Sequence, residues 1–156
     1  MKSSLRRQKI SFTYSRLRGV YCVAAFLALF GGIAIYAFFR DLNILLFQVF
    51  TQPSFLEVLH TPARTGSVLM SMLMFNLPHG LWCLSGLLII RAIWLTNIKW
   101  RTIYGGIFIV AASLFELAQL NENDPGTFDV FDLTAYGVFA FAESLIFNIL
   151  IKRRFL

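Results

Sequence analysis

Glu116 and Gln119 stand three residues apart at the end of a long apolar run, and Asp129 and Asp132, again three apart, open the next one. Spacing of three puts both members of a pair on one helix face, so each pair can act on a single target. A carboxylate inside hydrophobic sequence is costly to bury, which means that it is paired, hydrogen-bonded or used. Glu116 and Gln119 can therefore hold a ligand or an ion; the structural alternative is that Glu116 caps a neighbouring helix end or bonds Tyr136 or His79. For Asp129 and Asp132 the alternative is capping, because acids at a helix start accept from free N–H groups and offset the positive end of the helix dipole. His79, in Asn76-Leu77-Pro78-His79, starts a further apolar segment at the same level. The candidate ligand-binding set is thus Glu116, Gln119, Asp129, Asp132 and His79.

A histidine among three carboxylates is a donor set for a divalent metal or for acid–base work. No local spacing of the His-Glu-x-x-His kind occurs, however, and a lone interfacial histidine is commonly just hydrogen-bonded, so no metal and no cofactor is expected. No serine or cysteine sits in a nucleophile elbow and no glycine loop is built to cradle phosphate. No residue is assigned a catalytic role, and a non-enzymatic function is the expectation. Glu143 follows Asp132 by eleven residues, about 16 Å along a helix axis. Steps of four and seven place Asp132, Tyr136 and Glu143 on one stripe, which should face other helices, with Glu143 protonated or paired with Arg91. Cys22 and Cys83 fall early in two oppositely directed segments, so they read as small packing residues and not as a disulfide.

The elements that must position these groups are membrane helices. The 156-residue chain is 58% hydrophobic and 14% charged, with a mean hydropathy of +0.69, far from soluble averages. Residues 20–39 contain no Asp, Glu, His, Lys or Arg and match the length that a bilayer core requires, where a transmembrane strand would need short alternating segments. Three further spans are expected at 77–94, 102–120 and 131–151, giving an all-α, four-helix polytopic bundle. Pro78 would then lie in the first turn of the second span, and Trp82 and Trp94 would mark two aromatic belts; the competing reading starts near Val68 and makes Pro78 a kink, in a helix of more than 25 residues that would need substantial tilt. Gly105-Gly106 should permit close helix approach in the third. Residues 40–76 read as an outer interfacial segment of short pieces, with a capping box at Ser54-Phe55-Leu56-Glu57 and a turn about Pro62, forming a partial lid. Asp124-Pro125-Gly126 is a turn.

The net charge of +6 would suggest nucleic acid in a soluble protein, but its distribution points elsewhere. Lys2, Arg6, Arg7, Lys9, Arg16 and Arg18 lie in an arm at 1–19, Lys99 and Arg101 in a central loop, and Lys152, Arg153 and Arg154 in a tail at 152–156. Asp41, Glu57, Glu122, Asp124, Asp129 and Asp132 fall in the two connections between them. This is positive-inside segregation, which places both termini in the cytoplasm and excludes a nucleic-acid partner.

Glu116-Leu117-Ala118-Gln119, followed by Gly126-Thr127-Phe128-Asp129-Val130-Phe131-Asp132, resembles the VanZ-like family of small bacterial membrane proteins. In that family a Glu and a Gln three apart on one span precede a turn running into two aspartates that open the last span. The likeness covers about residues 103–147. Gly126 stands where the family usually has arginine, and Tyr136 where it has asparagine. The resemblance implies a protein of the bacterial cytoplasmic membrane and cell envelope, associated in the family's namesake with glycopeptide resistance. Together these readings give a protein that binds a membrane lipid or a lipid-linked, amphipathic ligand at an outward-facing polar site. A structural or accessory subunit of a larger membrane complex and an intramembrane enzyme acting on a lipid head group are the alternatives.

Overall fold

A computed structural model describes residues 2–39, 68–120 and 128–155, with side-chain surroundings for 14–39, 74–120, 128–147 and 149. The described residues form four α-helices, α1 (Lys2–Phe39), α2 (Val68–Ile93), α3 (Ile98–Ala118) and α4 (Val130–Phe155), and no strand. Three of them contain stretches long and apolar enough to cross a membrane: Tyr14–Phe39, Ile98–Ala118 and Val130–Phe147. In α2 the apolar run is interrupted by Asn76, Pro78, His79 and Arg91, and it is not among the three.

The distribution of side chains is the inverse of a soluble core. Leu27 is 69% exposed and Phe115 74%, whereas Glu116 is 1% exposed and Asp132 5%. Water would penalise such an apolar exterior, and hydrocarbon does not. The chain is a helical membrane protein, with its polar groups turned inward as the cost of a charge in lipid requires.

Two boundaries differ from the expectation. The arm at 1–19 and the first span are one continuous 38-residue helix; the arm contains no proline and its only glycine is Gly19, so nothing interrupts propagation. The second helix begins at Val68, so residues 68–76 belong to α2 and Pro78 sits inside it. An internal proline removes one backbone hydrogen bond, but Pro78 is among the most completely buried residues, and packing against the adjoining helices offsets that loss. The proposed short helix at Ser54–Glu57, the turn about Pro62 and the Asp124-Pro125-Gly126 turn lie outside the described residues.

α2 is the hub, packed most extensively against α1, then α4, then α3. Two glycines make this possible. A Cβ on Gly80 would collide with the Phe139 ring of α4, and one on Gly86 with the Phe108 ring of α3, so each aromatic ring occupies the space of a missing side chain. Gly105 and Gly106, expected to serve this purpose, do not: a Cβ at Gly105 would make an ordinary 3.7 Å contact with Leu87, and at Gly106 none within 4 Å. α2 and α3 are joined by a short turn in which the Asn97 side chain accepts from Trp100 N at 3.3 Å, capping α3. Trp94, Trp100 and Tyr104 stack around this turn. Trp82 instead packs inward against Tyr36 of α1, with ring centroids 5.0 Å apart, and not as a free belt residue.

Candidate functional site

Glu116, Asp132 and His79 come from α3, α4 and α2, and one donor atom from each lies within 4.8 Å of the other two. The helix ends dictate this convergence. Glu116 sits in the last turn of α3, Asp132 in the first turn of α4, and His79 one position after the buried Pro78. Each of the five expected site residues is described, and each contributes differently.

Glu116 is the centre. Its Oε1 accepts from Asp129 N at 3.4 Å and its Oε2 from Gln119 Nε2 at 3.3 Å. Both contacts are long, and they fix the carboxylate between the end of α3 and the start of α4. The capping alternative thus describes part of what Glu116 does. Gln119 is the C-cap of α3, and its amide holds Glu116 in place. Asp129 is a local cap: its Oδ1 accepts from Phe131 N at 2.9 Å, and its carbonyl accepts from Asp132 N at 3.0 Å.

Asp132 does no such capping. It is buried, and its Oδ1 lies 2.9 Å from His79 Nδ1. That oxygen nevertheless accepts no aligned hydrogen bond, because the nitrogen's N–H direction runs to the Phe75 carbonyl at 3.4 Å. In this tautomer Nε2 is an acceptor and takes the Tyr36 hydroxyl proton at 3.1 Å. The ring is held from both sides, with Tyr36, Trp82 and Tyr136 around it.

Two carboxylates therefore meet one imidazole, with acceptors in excess of donors and one buried oxygen unsatisfied. Such a site suits a species that brings positive charge or N–H and O–H donors. The three donor atoms could also gather on a divalent cation, a set that no local spacing announces because it is drawn from three helices. Tyr36 was not anticipated; its sole signal is a phenol placed three residues before the end of an apolar run. Asp132, Tyr136 and Glu143 are all buried, as their stripe implied, and Glu143 pairs with Arg91 through both carboxylate oxygens. Cys22 and Cys83 are free thiols that pack in separate apolar clusters.

No protein family, curated protein or solved structure matches the chain.

Proposed function

We propose that this is a VanZ-like protein of the bacterial cytoplasmic membrane, with four spans and both termini in the cytoplasm. In this reading a polar site at the outer face binds the head group of a lipid-linked or amphipathic ligand, and no chemistry is performed on it. The observation that carries it is the meeting of His79, Glu116 and Asp132 inside an otherwise apolar bundle, at the end remote from Arg16, Arg18, Lys99 and Arg101. Burying such groups costs several kcal/mol unless they are satisfied, roughly the scale on which ion and ligand sites in membranes are built. The excess of acceptors selects a head group that donates, an ammonium or a cluster of hydroxyls. An apolar tail would lie along the exposed hydrophobic faces of α3 and α4.

Nanodiscs containing phosphatidylethanolamine or phosphatidylcholine separate the two classes of head group, since only the first has N–H donors. The full-length protein should retain phosphatidylethanolamine preferentially in native mass spectrometry, and Glu116→Gln and Asp132→Asn should abolish the preference while sizing profile and helicity persist. Equal retention of both lipids by the wild type would sink the reading. Loss of thermal stability with selectivity intact would assign the carboxylates to structure alone.

A further inference from the structure

The opposite end of the bundle holds a second set of buried charges that the site around Glu116 does not use. Arg91, in the last turn of α2, is 5% exposed and grips Glu143 of α4 through Nε and Nη2. Its remaining nitrogen, Nη1, is buried without an acceptor, and so is the hydroxyl of Tyr21 on α1. Arg101, near the start of α3, joins Arg91 against one ring: the two guanidinium carbons lie 4.2 and 3.6 Å from the Phe147 centroid. Two guanidiniums thus face one carboxylate, so the cluster carries one positive charge more than its described groups neutralise. Beside them opens a cavity of about 360 Å³, whose lining includes Arg91, Arg101, Thr102, Gly106, Glu143 and Ser144. A side chain at Gly106 would meet nothing within 4 Å, so this wall of the cavity is left open by the absence of a Cβ.

We propose that this cleft binds the phosphate of an anionic phospholipid head group, with Arg101 as its donor and the Arg91 guanidinium adding positive charge from the wall. An uncompensated positive charge lining a cleft calls for an anionic acceptor. Phosphate offers several acceptor oxygens and suits the planar guanidinium fork. The volume lies within the roughly 300–1,000 Å³ typical of small-ligand pockets, more than a lone ion needs. Its position is the one where basic pockets between membrane helices meet anionic head groups, at the basic end of the bundle beside Lys99. The Glu143 carboxylate orients Arg91, and Arg101 supplies the charge that the lipid neutralises. The proposal is independent of the site at Glu116.

Short-chain phosphatidylglycerol and the matching uncharged diacylglycerol, titrated into the full-length protein in non-ionic detergent, test it by native mass spectrometry. The wild type should bind one phosphatidylglycerol at least about tenfold more tightly than the diacylglycerol, the scale of one charge-assisted hydrogen bond. Arg101→Gln should lose that factor. Gly106→Leu, which fills the cleft and keeps every charge, should lose it too, and Ser144→Leu narrows the same space from α4 should the first variant misfold. Lys99→Gln removes a charge from the same end outside the cleft and should change affinity less than about twofold, as expected of a screened surface charge. Equal binding of the two lipids by the wild type overturns the proposal, as does a Lys99→Gln loss matching that of Arg101→Gln, or full affinity in both cleft-filling variants. Inorganic phosphate should fail to displace the lipid; displacement would overturn the lipid assignment in favour of a soluble phosphate.

Discussion

Asp129 uses its Oδ1 on the Phe131 N–H, while Asp132, one turn further along α4, turns inward and leaves its own Oδ1 beside His79 without an aligned donor. The two aspartates should therefore respond oppositely to substitution. Asp129→Ala removes a cap and is expected to lower stability by about 1 kcal/mol, with head-group preference unchanged. Asp132→Asn keeps the shape, offers the amide a partner in Glu116 or His79, and should hold stability while removing the preference. Thermal unfolding and the nanodisc assay, run on both variants, check the contrast. The Arg91–Glu143 pair behaves differently because both partners are buried. Glu143→Gln leaves a guanidinium without its counter-charge, for an expected loss of about 3–5 kcal/mol, whereas Arg91→Met combined with Glu143→Leu should lose less than either single change. A double-mutant cycle in denaturant measures this coupling.

At the scale of the helices, packing is decided by where a ring meets a missing side chain. Gly80→Val drives a branched side chain into Phe139, separating α2 from α4, and should cost about 1–3 kcal/mol as an overpacked contact. Gly137→Ala, on α4 where a Cβ meets nothing within 4 Å, should be neutral or stabilising by up to about 1 kcal/mol. Melting of the two variants in one detergent checks both signs. These glycines also mark what sequence reasoning can reach. The stripe of Asp132, Tyr136 and Glu143 was legible because helical period alone puts the three on one face, and the Arg91 partner followed from depth and charge. Gly105-Gly106 was expected to serve close approach, and the close contacts fall at Gly80 and Gly86 instead, because the rotation of each helix about its axis is set by contacts between helices. The start of α2 near Val68 ranks second in the sequence for a similar reason: the penalty of Pro78 is local and visible, and the burial that offsets it is not. Tyr36 and its hydroxyl contact with His79 join residues 43 positions apart, beyond any local pattern.

At the scale of the molecule, the described residues at its two ends carry opposite charge, and this polarity ties both proposed sites to the membrane's sidedness. Arg16, Arg18, Arg91, Lys99 and Arg101 lie toward one end, and Glu116, Asp129 and Asp132 gather at the other. Retention of the basic end in the cytoplasm would put the Arg101 cleft in the leaflet richer in anionic lipid and the Glu116 site at the outer surface. Reversal would deprive both proposals of their setting at once. Cysteine labelling decides between the orientations on a background with Cys22 and Cys83 replaced by serine or alanine. Gly126→Cys should react with a membrane-impermeant maleimide on intact cells. Lys99→Cys should react only after the membrane is opened. The opposite pattern would invert the topology, and labelling of both positions on intact cells would mean that the single crossing proposed between them, that of α3, is not made. Because α2 carries Asn76, Pro78, His79 and Arg91 within its 26 residues, its proposed crossing leans on α1 and α4, whose packing against it is the most extensive among the described helices. Gly80→Val should therefore also shift the Lys99→Cys labelling toward a mixture of both sides, tying orientation to the same helix contacts that build the site.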